Sequence, residues 1–217
     1  MQVTMIRRWF LLALLLSAAA TAQPPPLLLA ADQHYRDDDP AARIWFFAVD
    51  SATGRAHLDA YIADHPADPR GWSALAYAHA LAGEVEACEQ ALQRAEQRAG
   101  SSALKQRRAA WSEGWARLQL GQVESAMRAW GRAYRLHGGH PYWVPASMAV
   151  AAELGGRRQQ ALAWYTLAAK AFPERWTRPD GIARTTAHWR PAEREAMSAL
   201  AAAWNTSHRA ATQRPVR

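Results

Sequence analysis

The pair His137-Gly-Gly-His140 is the most plausible metal-binding motif in the chain, because two imidazoles three residues apart can reach one cation. The pair stands where a helix should end, and a histidine there also complements the helix dipole. A structural zinc site needs about four protein ligands, and no acidic or cysteine side chain neighbours the pair. No metal is therefore assigned. Asp37, Asp38 and Asp39 could surround a cation, but with Pro40 following they read as an exposed N-terminal helix cap. His57 and His65 are too far apart to share a helix face and read as surface or core residues. Cys88 is the only cysteine, so it has no internal disulfide partner, and it is expected to be a small buried residue rather than a reactive thiol. No H-E-x-x-H, C-x-x-C, phosphate-loop or G-x-S-x-G pattern occurs. No catalytic constellation and no cofactor are assigned, and the chain is expected not to be an enzyme.

What remains distinctive is aromatic. Eleven of the 217 residues are Trp, and half of the chain is apolar, enough for a substantial core. Lys and Arg exceed Asp and Glu by 26 to 19, and only Lys105 and Lys170 are lysines. The basic residues are interspersed with acidic ones and form no stripe, so a solvated surface is expected and nucleic acid is not.

The N-terminus predicts export. Arg7 and Arg8 precede the apolar run from Trp9 to Leu16, and the small residues that follow end in Ala20-Thr21-Ala22 before Gln23. A charged segment, a short apolar segment and an A-x-A site together read as a cleaved signal peptide over 1–22. The run falls short of the ~20 apolar residues that span a bilayer, so no integral span is expected after cleavage, although an uncleaved anchor is the alternative. The Arg-Arg-Trp-Phe-Leu string partly matches a twin-arginine signal, but Ile6 and Leu12 depart from it and the run is rich in leucine, which favours the general export route. A periplasmic or secreted protein is expected.

The elements that position the aromatic residues are written three times. "GEVEACEQALQRA" carries Gly83, Cys88, Leu92 and Ala95. "GQVESAMRAWGRA" carries Gly121, Ala126, Trp130 and Ala133, and "GRRQQALAWYTLA" carries Gly156, Ala161, Tyr165 and Ala168. A glycine, a small residue, a large apolar residue and an alanine recur at one spacing in all three. The glycines suit a tight turn between antiparallel helices, since Gly accepts a positive φ. Ala76, Gly114 and Ala149 lie seven residues before them, where a first helix must come close to the second. Gly100, Gly138 and Pro173, seventeen residues after, stop the second helix. The separations of 38 and 35 residues, with a helix–turn–helix in each unit, resemble the tetratricopeptide repeat family over Asp68 to Pro173. The match is imperfect: Ala110 and Pro145 stand where the family usually has Trp, and Glu113 where it has Leu.

That resemblance implies an all-α fold, a right-handed superhelical array of antiparallel helix pairs with a C-terminal capping helix. The expected organisation is a linker over 23–39, a degenerate helical hairpin over 40–66, three repeats over 67–174, a capping region over 175–206 and a flexible tail over 207–217. Four extra residues between the first two copies predict an added helical turn from Ser102, and Pro145 predicts a late helix start. The family binds extended partner segments on a concave surface made by the first helices. Carried over residue by residue, the groove slots hold Arg70, Ser73 and Tyr77 in the first copy, Arg108, Trp111 and Trp115 in the second, and Trp143, Ala146 and Val150 in the third. An alternative stays open for Trp111 and Trp115, since the added turn could re-phase their helix and bury both. The expected function is an exported, non-enzymatic adaptor for a protein or peptide partner in the cell envelope. A glycan-binding helper in polysaccharide export is the alternative.

Overall fold

The structure is a computed structural model that describes residues 34–42 and 48–212, with side chains through 207. The expected signal peptide, most of the expected linker and the end of the tail lie outside the described residues. Among the described residues the fold is all-helical and contains no strand. A 3-10 turn at Pro40–Ala42 is followed by ten helices: α1 (Ala52–Asp64), α2 (Pro69–Leu81), α3 (Val85–Ala99), α4 (Ala103–Gln119), α5 (Val123–His137), α6 (Val144–Leu154), α7 (Arg158–Ala171), α8 (Pro173–Trp176), α9 (Pro179–Thr185) and α10 (Pro191–Thr212). Helices adjacent in the chain pack as pairs, α2 on α3, α4 on α5 and α6 on α7, and α2 also packs along α4.

The repeated glycine has one structural cause. Gly83, Gly121 and Gly156 have φ of 74°, 71° and 72°, a left-handed conformation that costs a side-chain-bearing residue about 1–2 kcal/mol. The N–H that follows each one returns to the helix just ended: Glu84 to the His79 carbonyl at 2.9 Å, Gln122 to Arg117 at 2.9 Å, and Arg157 to Ala152 at 2.8 Å. Each glycine N–H bonds one residue later in the helix, to Ala80, Leu118 and Glu153. These paired bonds satisfy carbonyls that would otherwise end each first helix unpaired. A Cβ at any of the three would meet nothing within 4 Å, so backbone conformation rather than space selects glycine there.

The small and large repeat positions build the core. Cys88, Ala126 and Ala161 are fully buried; so are Trp130 and Tyr165, and Leu92, Ala95, Ala133 and Ala168 are buried beside them. Gly114 answers to space instead. A Cβ there would lie 2.1 Å from Nε1 of the buried Trp130, so the indole packs directly on the α4 backbone. Its Nε1 donates to the Trp111 carbonyl at 3.1 Å.

The helix starts follow capping chemistry. The Asp68 carboxylate accepts the Arg70 N–H at 2.9 Å and begins α2, and Ser51 accepts the Gly54 N–H at 3.0 Å to begin α1. Ser102 caps α4, whose 17 residues against the 11 of α6, offset in part by the longer link before α6, account for the longer separation of the first two glycines. α6 does begin late, 12 residues before its glycine where α2 begins 14 and α4 18 before theirs, but it includes Val144 itself, which is fully buried, and Pro145 in the first turn needs no N–H partner.

Three expectations need correction. Residues 34–39 do not behave as a linker. Tyr35 is 1% exposed and packs between Tyr134, His140 and Trp164, while Asp37 bridges to Pro141. Asp39 does cap the turn at Pro40–Ala42, accepting from Ala41 N at 2.9 Å, but it is fully buried rather than exposed, and it also accepts from Arg107 Nε at 2.9 Å and from Trp143 Nε1 at 3.0 Å. The bonds to Arg107 and Trp143 are long-range, so no local pattern announces them. At the other end, α8 and α9 precede the expected final helix, and α10 continues to Thr212, through the start of the expected tail. α10 packs on α6 and α7 through Met197, Leu200 and Ala201, all buried, with Trp204 half-buried beside them.

Candidate functional site

Two helix faces converge on one cleft. On α2, Arg70, Ser73, Tyr77 and Leu81 recur at the three-to-four spacing of a single face; on α4, Arg108, Trp111 or Ser112, and Trp115 do the same. The cleft encloses about 840 Å³, within the ~300–1,000 Å³ of typical ligand sites. Val49, Asp50 and Arg55 close one side. The stretch from Ala187 to Arg194, which joins α9 to the first turn of α10, lines the cleft as well and is held to the C-terminal end of α4 through Gln119.

Its floor is aromatic. The Trp115 ring meets Trp111 at 6.2 Å, Trp130 at 5.1 Å and Trp189 at 5.0 Å between centroids, each close to perpendicular. Such edge-to-face contacts add about 0.5–1.5 kcal/mol per pair beyond burial. Trp111 is 7% exposed and belongs to the core that runs through α4 to α10, and Trp115 is half-buried against the same core. Both also line the cleft. The groove and core alternatives therefore do not exclude each other: these residues form the top layer of the core and the bottom of the cleft.

Three buried polar atoms belonging to the cleft-lining residues have no hydrogen-bond partner: Ser73 Oγ, Trp111 Nε1 and Trp115 Nε1. An indole nitrogen can only donate, so two of the three call for an acceptor.

The electrostatics are mostly positive. Arg55, Arg70, Arg108, Arg190 and Arg194 line the cleft against two carboxylates, Asp50 and Glu193. Glu193 is committed elsewhere. It is 3% exposed, accepts the Arg190 N–H at 3.0 Å at the start of α10, and accepts from the Gln119 side chain. Burial raises its pKa, with those two donors acting against the rise. Burial also pushes the Tyr77 hydroxyl well above its usual value, and the Glu193 charge adds to the shift. Arg70 is held by Asp68 at 2.7 Å and donates to the Tyr61 hydroxyl at 2.8 Å. Burial lowers the Arg108 pKa, and the charge of Arg70 lowers it further. Arg108 donates to the Pro40 carbonyl at 2.7 Å.

The other candidates disperse. Trp143 does not reach the cleft; it is 5% exposed, with its indole on Asp39. Ala146 and Val150 are buried away from the cleft as well. His140 N donates to Asp37 Oδ2 at 2.6 Å, His137 Nε2 lies 3.3 Å from the Asp38 carbonyl, and His140 Nδ1 lies 3.3 Å from the Tyr134 hydroxyl, so this region ties the N-terminal strap to the end of α5. No group of three His, Cys, Asp or Glu converges among the described residues. Burial pushes the Cys88 thiol up to about 11, which leaves little nucleophilic thiolate at neutral pH.

Sequence reasoning missed the wall made by Trp189, Arg190 and Arg194. One signal was present, Arg190-Pro191-Ala-Glu193, a helix start with Pro at the first position and Glu at the third. It marks where α10 begins but not what α10 faces. No protein-family model matches the chain, and neither a curated protein nor a solved structure shows significant similarity to it.

Proposed function

We propose that this chain is an exported, non-enzymatic adaptor: a tetratricopeptide-like, right-handed array of helix pairs whose cleft takes a segment of a partner protein in the cell envelope. The observation that carries the reading is the cleft itself. It brings together Arg70, Ser73, Tyr77, Arg108, Trp111 and Trp115, residues that the repeat register places on the first helices. Tryptophan, tyrosine and arginine dominate binding hot spots, and here they surround one concavity. A protein segment suits the floor better than a sugar does. Three perpendicular indole contacts occupy Trp115, which leaves it poorly disposed as a flat platform for sugar rings. Export rests on the Arg7–Ala22 segment. No helix among the described residues is long and apolar enough to cross a membrane.

The test is site-specific photocrosslinking in the producing cell, with a benzophenone residue at Ser112 on the cleft wall and another at Arg98 on the exposed side of α3. The expected outcome is a discrete crosslinked partner from position 112 only, lost when Trp115 is replaced by alanine in a chain that still folds. Equal labelling from both positions, or none from either, overturns the reading.

A further inference from the structure

Two arginines stand where helix physics disfavours them. Arg190 precedes Pro191 and Arg194 lies in the first turn of α10, four residues on. The N-terminus of a helix carries partial positive charge and repels cations. Like charges four apart repel one another as well. The polar contacts these side chains make within the fold are modest: Arg190 donates to the Gln119 side chain at 3.2 Å and Arg194 to the Trp189 carbonyl at 3.1 Å. Neither forms an ion pair among the described residues, although both line the cleft. On the α2 and α4 side, Arg70 is paired with Asp68, while Arg108 forms no ion pair among the described residues: burial and the charge of Arg70 disfavour its cation, and the charges of Asp68 and Asp39 offset this in part. A cluster of cations built against local preference around one concavity calls for an anionic occupant.

We infer that the cleft is a two-walled arginine clamp for an acidic peptide segment, with Arg70 and Arg108 on one wall and Arg190 and Arg194 on the other. The inference rests on the adaptor reading and adds the chemistry of the bound segment. A guanidinium is a planar fork that matches a carboxylate with two parallel N–H donors. Carboxylates along a peptide meet the arginines at both ends of the cleft. An apolar residue between the acidic ones packs on the apolar part of the lining, where Ala74, Ala78 and Leu81 of α2 lie. Asp68 pairs with Arg70, and Asp50 and Glu193, the carboxylates that line the cleft, offset the charge of the other arginines only in part. Asp50 sits on the exposed rim, and Glu193 is spent on capping α10. Arg190 and Arg194 are exposed and lie outside the repeats, so they set charge specificity without supporting the core.

The probe is a rhodamine-labelled, end-blocked Glu-Glu-Leu-Glu-Glu-Leu peptide, followed by anisotropy with the full chain, beside its Gln-for-Glu counterpart. The acidic peptide should bind at least tenfold more tightly than the neutral one, and its affinity should fall steeply with salt. Arg190→Gln and Arg194→Gln should each weaken it by about tenfold, the size of one charge-assisted hydrogen bond. Neither should lower the melting temperature, since each removes a cation from a helix N-terminus; Arg98→Gln serves as the control that changes nothing. Equal binding of the neutral peptide, or unchanged affinity in both variants, overturns the clamp. So does stronger competition by polygalacturonate than by unlabelled acidic peptide, which would make the occupant a polyuronate. A partner crosslinked at Ser112 whose capture ignores Arg190→Gln and Arg194→Gln overturns the clamp and leaves the adaptor reading standing. Loss of both peptide binding and crosslinking overturns the two together.

Discussion

Gly114→Ala isolates the contact on which the cleft floor rests. In an exposed helix interior the change would stabilise by about 1 kcal/mol, because alanine is the better helix former. Here the new Cβ would sit 2.1 Å from Trp130 Nε1, 2.4 Å from Cδ1 and 2.5 Å from Cε2, all on a fully buried indole. The ring cannot swing aside freely, since Trp115 packs against it at 5.1 Å. Overpacking of this kind costs about 1–3 kcal/mol. Displacing the ring also breaks its hydrogen bond to the Trp111 carbonyl, and a buried donor left unpaired costs about 1–3 kcal/mol. Less the gain in helix propensity, the net destabilisation is roughly 1–5 kcal/mol. For a chain of this size that is a fall in melting temperature on the order of 2–20 °C. Far-UV circular dichroism gives the melt, and near-UV circular dichroism reports the tryptophan cluster directly. The penalty should shrink in a Trp130→Phe background, because the clashing atoms belong to the pyrrole edge of the indole; a double-mutant cycle measures that coupling. A Gly114→Ala protein that melts at or above the wild type with an unchanged near-UV spectrum refutes the packing. A penalty of the same size in the Trp130→Phe background assigns it to some other cause.

Gly121→Ala should cost about 1 kcal/mol or more through its positive φ alone, with the near-UV spectrum intact, since nothing lies within 4 Å of the added methyl. Ala126→Leu and Ala161→Leu should each cost about 1–3 kcal/mol, as both sites are fully buried between helices; a wild-type melting point in both would contradict the close helix approach. Asp68 gives a pH signature. Burial would raise its pKa, but hydrogen bonds from Arg70 and Tyr61 prevail and hold it down at about 2. A folded pKa below the unfolded value contributes stability that is present above about pH 4 and is lost as pH falls towards 2. The stability gap between wild type and Asp68→Asn, measured by denaturant titration, should therefore close across that window, and a gap independent of pH would sink the assignment. Metal chelators should leave the melt unchanged, because no three His, Cys, Asp or Glu side chains converge among the described residues, at His137 and His140 or elsewhere; a drop on adding EDTA would require a bound ion.

What could be read locally was set by local physics. The three glycines announce their turns because a positive φ is a property of one residue and its two neighbours. The helical spacing of Cys88, Ala126 and Ala161 ahead of Leu92, Trp130 and Tyr165 announces burial, because one face of a helix is fixed by its period. For the same reason Arg70, Ser73 and Tyr77 were placed on one face of α2, and Arg108, Trp111 and Trp115 on one face of α4, before any neighbour was known. The tertiary structure decided what each face meets. Trp143 follows the same spacing rule yet is turned to the buried carboxylate of Asp39, 104 residues away in the chain. Tyr35 and Asp39 were unreadable as core because their partners sit on α4 to α7 and carry no period that links them. The cleft's second wall is the clearest case. Arg190-Pro191-Ala-Glu193 specifies that a helix starts there, through the fixed φ of proline and the carboxylate that accepts the first N–H. That this start lines the cleft with α2 and α4, and turns Trp189 onto Trp115, depends on how α10 docks on α6 and α7 through Met197 and Leu200. That docking is a sum of contacts between segments far apart in the chain, and no window of sequence contains both sides of it.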